Sequence, residues 1–303
     1  MNKLSANPLL AMGVALGTSL IAAVPAMAGY VPLTNPTFTS TGVDYTLWCP
    51  GPVGTIKPCV DQSATTANLS AVLQGGPGNP GGNVELGKPT NPNFNGGWTT
   101  NTTPTTLSGD IGGKTFTASS LTYSDWSANG NALTYQFIGD AIKANGITLP
   151  AGKTLTDVVN NFITLGGPQR FSNPNIGYVF AEGSVLNVGL QGILNARILV
   201  QDLFPGVTLP PVIQASELVK VNWDGQTNYL YSFVAGNSGQ SVPYQYGGLP
   251  ICVGGAPSGT SDPIAACSQT GDYDIRVAPE PSSLLGLLVI GGGMLATKRR
   301  KYS

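Results

Sequence analysis

The sequence predicts a mainly β fold with a few short helices, β-sandwich-like or α+β, in an exported domain followed by a single transmembrane helix at the C-terminus. Three observations carry that prediction. The chain has 41 Gly and 24 Pro among 303 residues and only 10% charged residues, the make-up of a loop-rich, β-leaning extracellular chain. Apolar and polar residues alternate in short runs separated by turn residues, most clearly over 218–234. Near the C-terminus an apolar run lies between a proline pair and a basic cluster.

The first 28 residues read as a secretory signal peptide. Lys3 is followed by an apolar stretch over 9–24 and by Ala26-Met27-Ala28, a small-x-small site with cleavage expected after Ala28. Residues 29–278 then form the exported β-rich domain, long enough for a sizeable core. Within it 29–113 is expected to be loop-rich and 114–250 to hold the core. The Gly/Pro run at 74–82 is punctuation, because phosphate-binding loops sit between a strand and a helix. Residues 99–106, rich in Thr and Asn, read as a surface loop or edge strand and a candidate for O-linked sugar.

From Thr115 the pattern sharpens. Residues 115–123 and 132–138 alternate and are expected to pair as antiparallel strands, with a turn at Asn129-Gly130. Residues 140–145 read as helical, ending at Gly146. Thr154 is placed to cap a helix over 155–165. Its Leu155, Val158, Val159, Phe162 and Ile163 recur with the helical period, and Gly166-Gly167-Pro168 stops it. Short strands are expected at 176–180 and 185–190, while 193–203 fits either type. In 218–234, Leu218-Val219-Lys220-Val221 leads into Asp224-Gly225, which suits a tight turn, and 229–234 returns. No internal repeat of solenoid or propeller length is present.

Past Ala278 come Pro279-Glu280-Pro281, which sit outside any helix because each proline lacks an N–H and fixes its φ. The membrane segment follows, with Leu284, Leu285, Leu287, Leu288, Val289, Ile290, Met294 and Leu295. The basic stop is Lys298, Arg299, Arg300 and Lys301. Sixteen apolar-run residues reach roughly 24 Å as a helix against a hydrocarbon core of about 30 Å, a marginal span. The basic cluster stays on the cytoplasmic side.

This tripartite tail resembles the PEP-CTERM sorting signal. That resemblance implies export through the Sec translocon, cleavage by signal peptidase, and a membrane-held precursor processed near Pro279-Glu280-Pro281 by an exosortase-type transpeptidase. Residues 169–179 (QRFSNPNIGYV), 214–221 (QASELVKV) and 229–233 (YLYSF) resemble a mainly cyanobacterial family of PEP-CTERM proteins, uncharacterised in function. The similarity covers most of 44–234 and brings no motif tied to a reaction.

All four cysteines, Cys49, Cys59, Cys252 and Cys267, lie in the exported part, where an oxidising compartment favours disulfides. Three connectivities are open. The local pairs Cys49–Cys59 and Cys252–Cys267 are favoured, since each closes a short Pro/Gly-rich loop. Zinc spacing is lacking, and no arrangement lowers a thiol pKa.

The chain contains no histidine. That removes Ser-His-Asp and Cys-His arrangements, histidine metal ligation and the usual neutral-pH proton shuttle. Gly113-Lys114-Thr115 and Gly152-Lys153-Thr154 imitate the end of a P-loop, but the glycine required upstream is Ser108 in one and Ile147 in the other. Paired carboxylates would have to come from Glu85, Glu182 and Glu217, far apart in sequence. Asp272-Tyr273-Asp274, or Asp224 with Asp125, could offer calcium oxygen ligands, but they read more simply as solvent-exposed turn aspartates. Trp98, Trp126, Trp223, Tyr229, Tyr231, Tyr244 and Tyr246 could stack on sugars, or pack as core and cross-strand pairs.

Setting aside Lys3 and the four basic tail residues leaves 9 of 14 cations. Setting aside Glu280 leaves 14 of 15 acids, so the exported part is near −5. That balance argues against nucleic acid as a partner. The expectation is a non-enzymatic cell-surface or extracellular-matrix protein, associated with exopolysaccharide and needing no cofactor or metal. The alternatives are a carbohydrate-binding or adhesion module and, behind it, a carboxylate-dependent hydrolase.

Overall fold

Among the described residues, twelve strands form two antiparallel sheets around an apolar interior. The computed structural model describes residues 29–38, 45–50, 56–77, 81–87, 103–192, 196–235 and 271–278. Among these, the first sheet holds β1 (Tyr30–Pro32), β3 (Tyr45–Pro50), β4 (Ile56–Pro58), β5 (Asn83–Leu86), β8 (Asn175–Glu182), β9 (Val185–Gly192) and β12 (Gly271–Val277). Its order is β12-β9-β8-β5-β3-β4, and β1 also pairs with β8. The second sheet holds β2 (Thr34–Phe38), β6 (Thr106–Ile111), β7 (Lys114–Ser119), β10 (Val219–Trp223) and β11 (Gln226–Leu230), in the order β11-β10-β7-β6-β2.

Side chains alternate across a strand, so each sheet sends one set of residues inward. Leu47, Val84, Val188 and Leu190 of the first sheet meet Leu107, Phe116, Val219 and Val221 of the second in one continuous core. The mainly β expectation holds at this level, with two antiparallel sheets and a few short helices. The described residues of 29–113 include β1 to β6 and the helix α1 (Thr66–Val72), regular elements in a stretch expected to be loop-rich. Thr106 opens β6, which pairs with β7 on one side and β2 on the other, so it is not an edge strand.

A second apolar cluster lies beneath the helices α2 (Tyr123–Ala144), α3 (Leu155–Thr164), α4 (Gly167–Arg170) and α5 (Arg197–Val200). The expected strand at 132–138 is helical, the second half of α2. A turn does form at Asn129-Gly130, but it separates two helical segments: Asn129, Gly130 and Asn131 take φ of 50°, 68° and 66°. Leu133, Tyr135 and Phe137 mimic a strand's alternation, yet Leu133, Thr134, Phe137, Ile138 and Ala141 lie along one helical face and are the ones buried in this half of the helix.

The capped helix forms as expected. In α3 the Thr154 hydroxyl accepts from the Asp157 N–H, and the Asp157 carboxylate accepts from the Thr154 N–H at 2.7 Å, the reciprocal pattern of a capping box. Past it, Gly166 at φ 78° ends the helix and α4 follows at once. The ambiguous stretch at 193–203 includes α5 and a 3₁₀ turn, Gln201–Leu203. The hairpin β10–β11 turns on Asp224 (φ 53°) and Gly225 (φ 77°), and its return strand ends at Leu230, short of the expected Val234.

Cys49 and Cys59 form a disulfide. Cys252 and Cys267, the segment 1–28 with Ala26 and Ala28, and the tail 279–303 with its sorting motif, apolar run and basic stop lie outside the described residues. Among the described residues no helix is long and apolar enough to cross a membrane.

Candidate functional site

The first sheet is unusual on the face turned away from the core. In β12, Tyr273 points inward, so Asp272 and Asp274 share the opposite face. In β9 the inward residues are Val188 and Leu190, leaving Asn187, Gly189 and Gln191 outward. In β5 they are Val84 and Leu86, leaving Asn83 and Glu85 outward. A register shift between Ile176 and Tyr178 puts Tyr178 on that face too. Polar residues are therefore crowded onto one side of four neighbouring strands. Most of them are buried: Asn83, Asn175, Asn187, Gln191 and Asp272 all fall below 6% exposure.

Burial of polar groups demands partners, and most are provided. The Asn83 Nδ2 donates to Gln191 Oε1 at 2.5 Å. Asn175 Nδ2 donates to Glu217 Oε2 at 3.0 Å. Glu85 accepts from the Trp48 indole N–H at 3.0 Å and from Asn173 Nδ2 at 3.2 Å. The Tyr178 hydroxyl donates to Asp274 Oδ1. Its ring crowds Gly189, and any Cβ there would run into the ring carbons.

Among the carboxyl groups of this face, Asp272 is the exception. Its register partner is Gln191, as that of Asp274 is Gly189. The residue is 5% exposed, and its Oδ2 has no hydrogen-bond partner. Burial, and secondarily the charge of Asp274, pushes its pKa up to about 7. Burial and the bond to Asp274 likewise raise the Tyr178 phenol. Asp274 is exposed, so the pair runs from a solvent-facing rim to a buried floor. No family model, curated protein or solved structure matches the chain.

Asp272 and Asp274 are thus not the exposed turn aspartates that the sequence suggested. They sit on a strand, and one is buried. Asp224 does occupy a turn, where it pairs with Lys114 at 2.6 Å. Asp125 is held elsewhere, by Lys220 Nζ at 2.8 Å, the Tyr229 hydroxyl at 2.9 Å and Thr122. These two aspartates therefore have separate lysine partners. The P-loop look-alikes are turns: Gly112 and Gly113 join β6 to β7, and Gly152 precedes the Thr154 cap.

The three candidate glutamates are not gathered into one site. Glu182 pairs with Arg276 at 3.4 Å on the rim. Asn175 lies opposite Glu85 in register and binds Glu217. The aromatic set goes mainly to packing. Trp126 is buried in the helical cluster, its indole N–H donating to Ser172 Oγ at 2.9 Å. Trp223 is 9% exposed, with Lys114 Nζ 5.4 Å from its ring centre. The Tyr231 hydroxyl donates to Asp140 at 2.7 Å. Trp98, Tyr244 and Tyr246 lie outside the described residues.

The Tyr178–Asp274–Asp272 arrangement spans up to 96 positions of sequence, beyond the reach of local sequence pattern. One signal was available: in 271–277 the order Asp-Tyr-Asp-Ile-Arg-Val alternates polar and apolar, the mark of a strand and not of a turn.

Proposed function

We propose that this chain is an exported cell-surface or extracellular-matrix protein with a β-sandwich-like, non-enzymatic body. The Sec translocon exports it, signal peptidase cuts after Ala28, and an exosortase-type transpeptidase processes it near Pro279-Glu280-Pro281. A transmembrane helix after Pro281 holds the precursor in the membrane until then, and the mature body joins exopolysaccharide outside the cell.

The observation that carries this reading is the Cys49–Cys59 disulfide, because such bonds persist in oxidising compartments and are rare in reducing ones. The placement of the outermost strands supports it as well. Tyr30 opens β1 just after the expected leader, and Val277 closes β12 just before the sorting motif. Glycan stacking has less support, since Trp126 and Trp223 are buried.

The test is deletion of 279–303 in the native host, followed by cell fractionation and intact-mass measurement. The full chain is expected at the surface or in the medium, shortened at both ends. The deletion variant is expected to change compartment and to lose the C-terminal processing step. Identical location of the two proteins, with residues 279–303 retained in the mature full chain, would overturn the reading.

A further inference from the structure

We propose that Asp272 and Asp274 form a binding site for a hard divalent cation, calcium being the ion an exported protein meets. The choice of calcium rests on the export reading above; the site itself rests on geometry. The two carboxyl groups occupy the same face of β12, one strand repeat or about 7 Å apart along the backbone. Asp272 is 95% buried, with one carboxyl oxygen lacking any donor. A buried carboxyl is retained when it is paired, protonated or metal-bound.

The ion pairs found among the described residues do not meet this need. Among the described residues the four ion pairs use Lys114, Arg170, Lys220 and Arg276, and their acids are Asp224, Asp202, Asp125 and Glu182. Arg276 is the informative one. It follows Asp272 and Asp274 on the same face of β12, yet it reaches Glu182 instead. Other acids also have donors: Asp61 holds Ser63 and Asn68, and Asp157 holds Thr154.

Neutral oxygens stand nearby. Gln191 is the register partner of Asp272, and Asn83 orients its Oε1 by donating to it at 2.5 Å. That is the supporting contact metal ligands commonly have. The Tyr178 hydroxyl fixes Asp274. Asp274 is exposed, which gives the ion a way in from solvent, with Asp272 as the floor. Calcium takes six to eight oxygens in a flexible shell, so water completes the set. No third carboxylate joins the pair among the described residues, which sets the expected affinity in the weak extracellular range, around 10⁻⁴–10⁻³ M.

The test uses the purified, disulfide-intact mature chain, stripped with chelator and titrated with CaCl₂ against NaCl of equal ionic strength. Calorimetry should show one saturable site. The melting temperature should rise by roughly 3–5 °C at about tenfold excess over the dissociation constant. Asp274→Asn keeps an acceptor for Tyr178 and is expected to fold, but to lose the calcium response. Asp272→Asn should lose it too, and should melt higher than the stripped parent because a buried charge is gone.

An absent calcium response in the parent chain overturns the proposal and assigns Asp272 to a bound proton. A response surviving in both variants overturns it as well, since the ion then binds elsewhere. Calcium binding is measured on purified protein. A positive result in a chain that keeps 279–303 and whose location ignores them would keep the site and sink the export reading.

Discussion

Gln62 treats Leu47 as a strand partner would. Its Oε1 accepts from the Leu47 N–H at 2.8 Å, and its Nε2 donates to the Leu47 carbonyl at 2.9 Å and to the Cys59 carbonyl at 2.8 Å. A side-chain amide thus continues the hydrogen bonding of β3 where the three-residue β4 stops. Gln62→Ala strips those partners from backbone groups that Leu47 buries. It should cost about 1–3 kcal/mol, read as a lower urea midpoint at unchanged slope. An unmoved midpoint would show that water replaces the amide.

The same corner holds the disulfide. Cys49 and Cys59 are separated by 10 positions, and closing a loop of that size stabilises by about 2–3 kcal/mol in the chain-entropy view. Reduction should therefore lower the melting temperature. Peptide mapping of exported protein without reductant should recover the Cys49–Cys59 crosslink. Protein retained in the cytoplasm should yield free thiols and melt at the lower, reduced temperature.

Gly189 makes room for Tyr178. A methyl group there comes within 2.5 Å of three ring carbons, so Gly189→Ala must displace the Tyr178 ring and is expected to disturb its bond to Asp274. The expected loss is at least about 2 kcal/mol, the scale of an overpacked site. Tyr178→Phe removes the hydroxyl alone and should lose about 1 kcal/mol. Equal losses in the two variants would mean that the ring adapts and the close approach is unimportant.

Asp125 ties the start of α2 to the second sheet. Burial works to raise its pKa, but hydrogen bonds from Lys220, Thr122 and Tyr229 outweigh that and hold it below the ordinary carboxylate range. A depressed carboxylate stabilises the fold above its unfolded pKa, and that stability is lost as pH falls through the folded value. Asp125→Asn should thus be less stable than the parent at pH 7, by about 1–3 kcal/mol. The gap should narrow steadily below about pH 4. Urea midpoints measured from pH 7 to 3 check this, and a gap independent of pH would rule out the ionised pair as the cause.

What could be read directly from the chain was what neighbours in sequence decide among themselves. Thr154 and Asp157 cap α3 across three positions, Asp224-Gly225 supplies the two positive φ values of its turn, and Cys49 lies within easy reach of Cys59. Asn129-Gly130 announced a turn for the same reason. The identity of the flanking segments was another matter. Leu133, Tyr135 and Phe137 suit either period, and the second apolar cluster, with Phe162, Phe171 and Phe233 around Phe137, makes the helix the better way to bury them. Likewise nothing near Asp272 in sequence tells that it will be buried. That follows from β12 docking on β9, which brings residues 271–277 against 186–192. Turns and caps depend on dihedral preferences and reach of a few residues, whereas the buried face of a sheet depends on strands gathered from the whole length of the folded body.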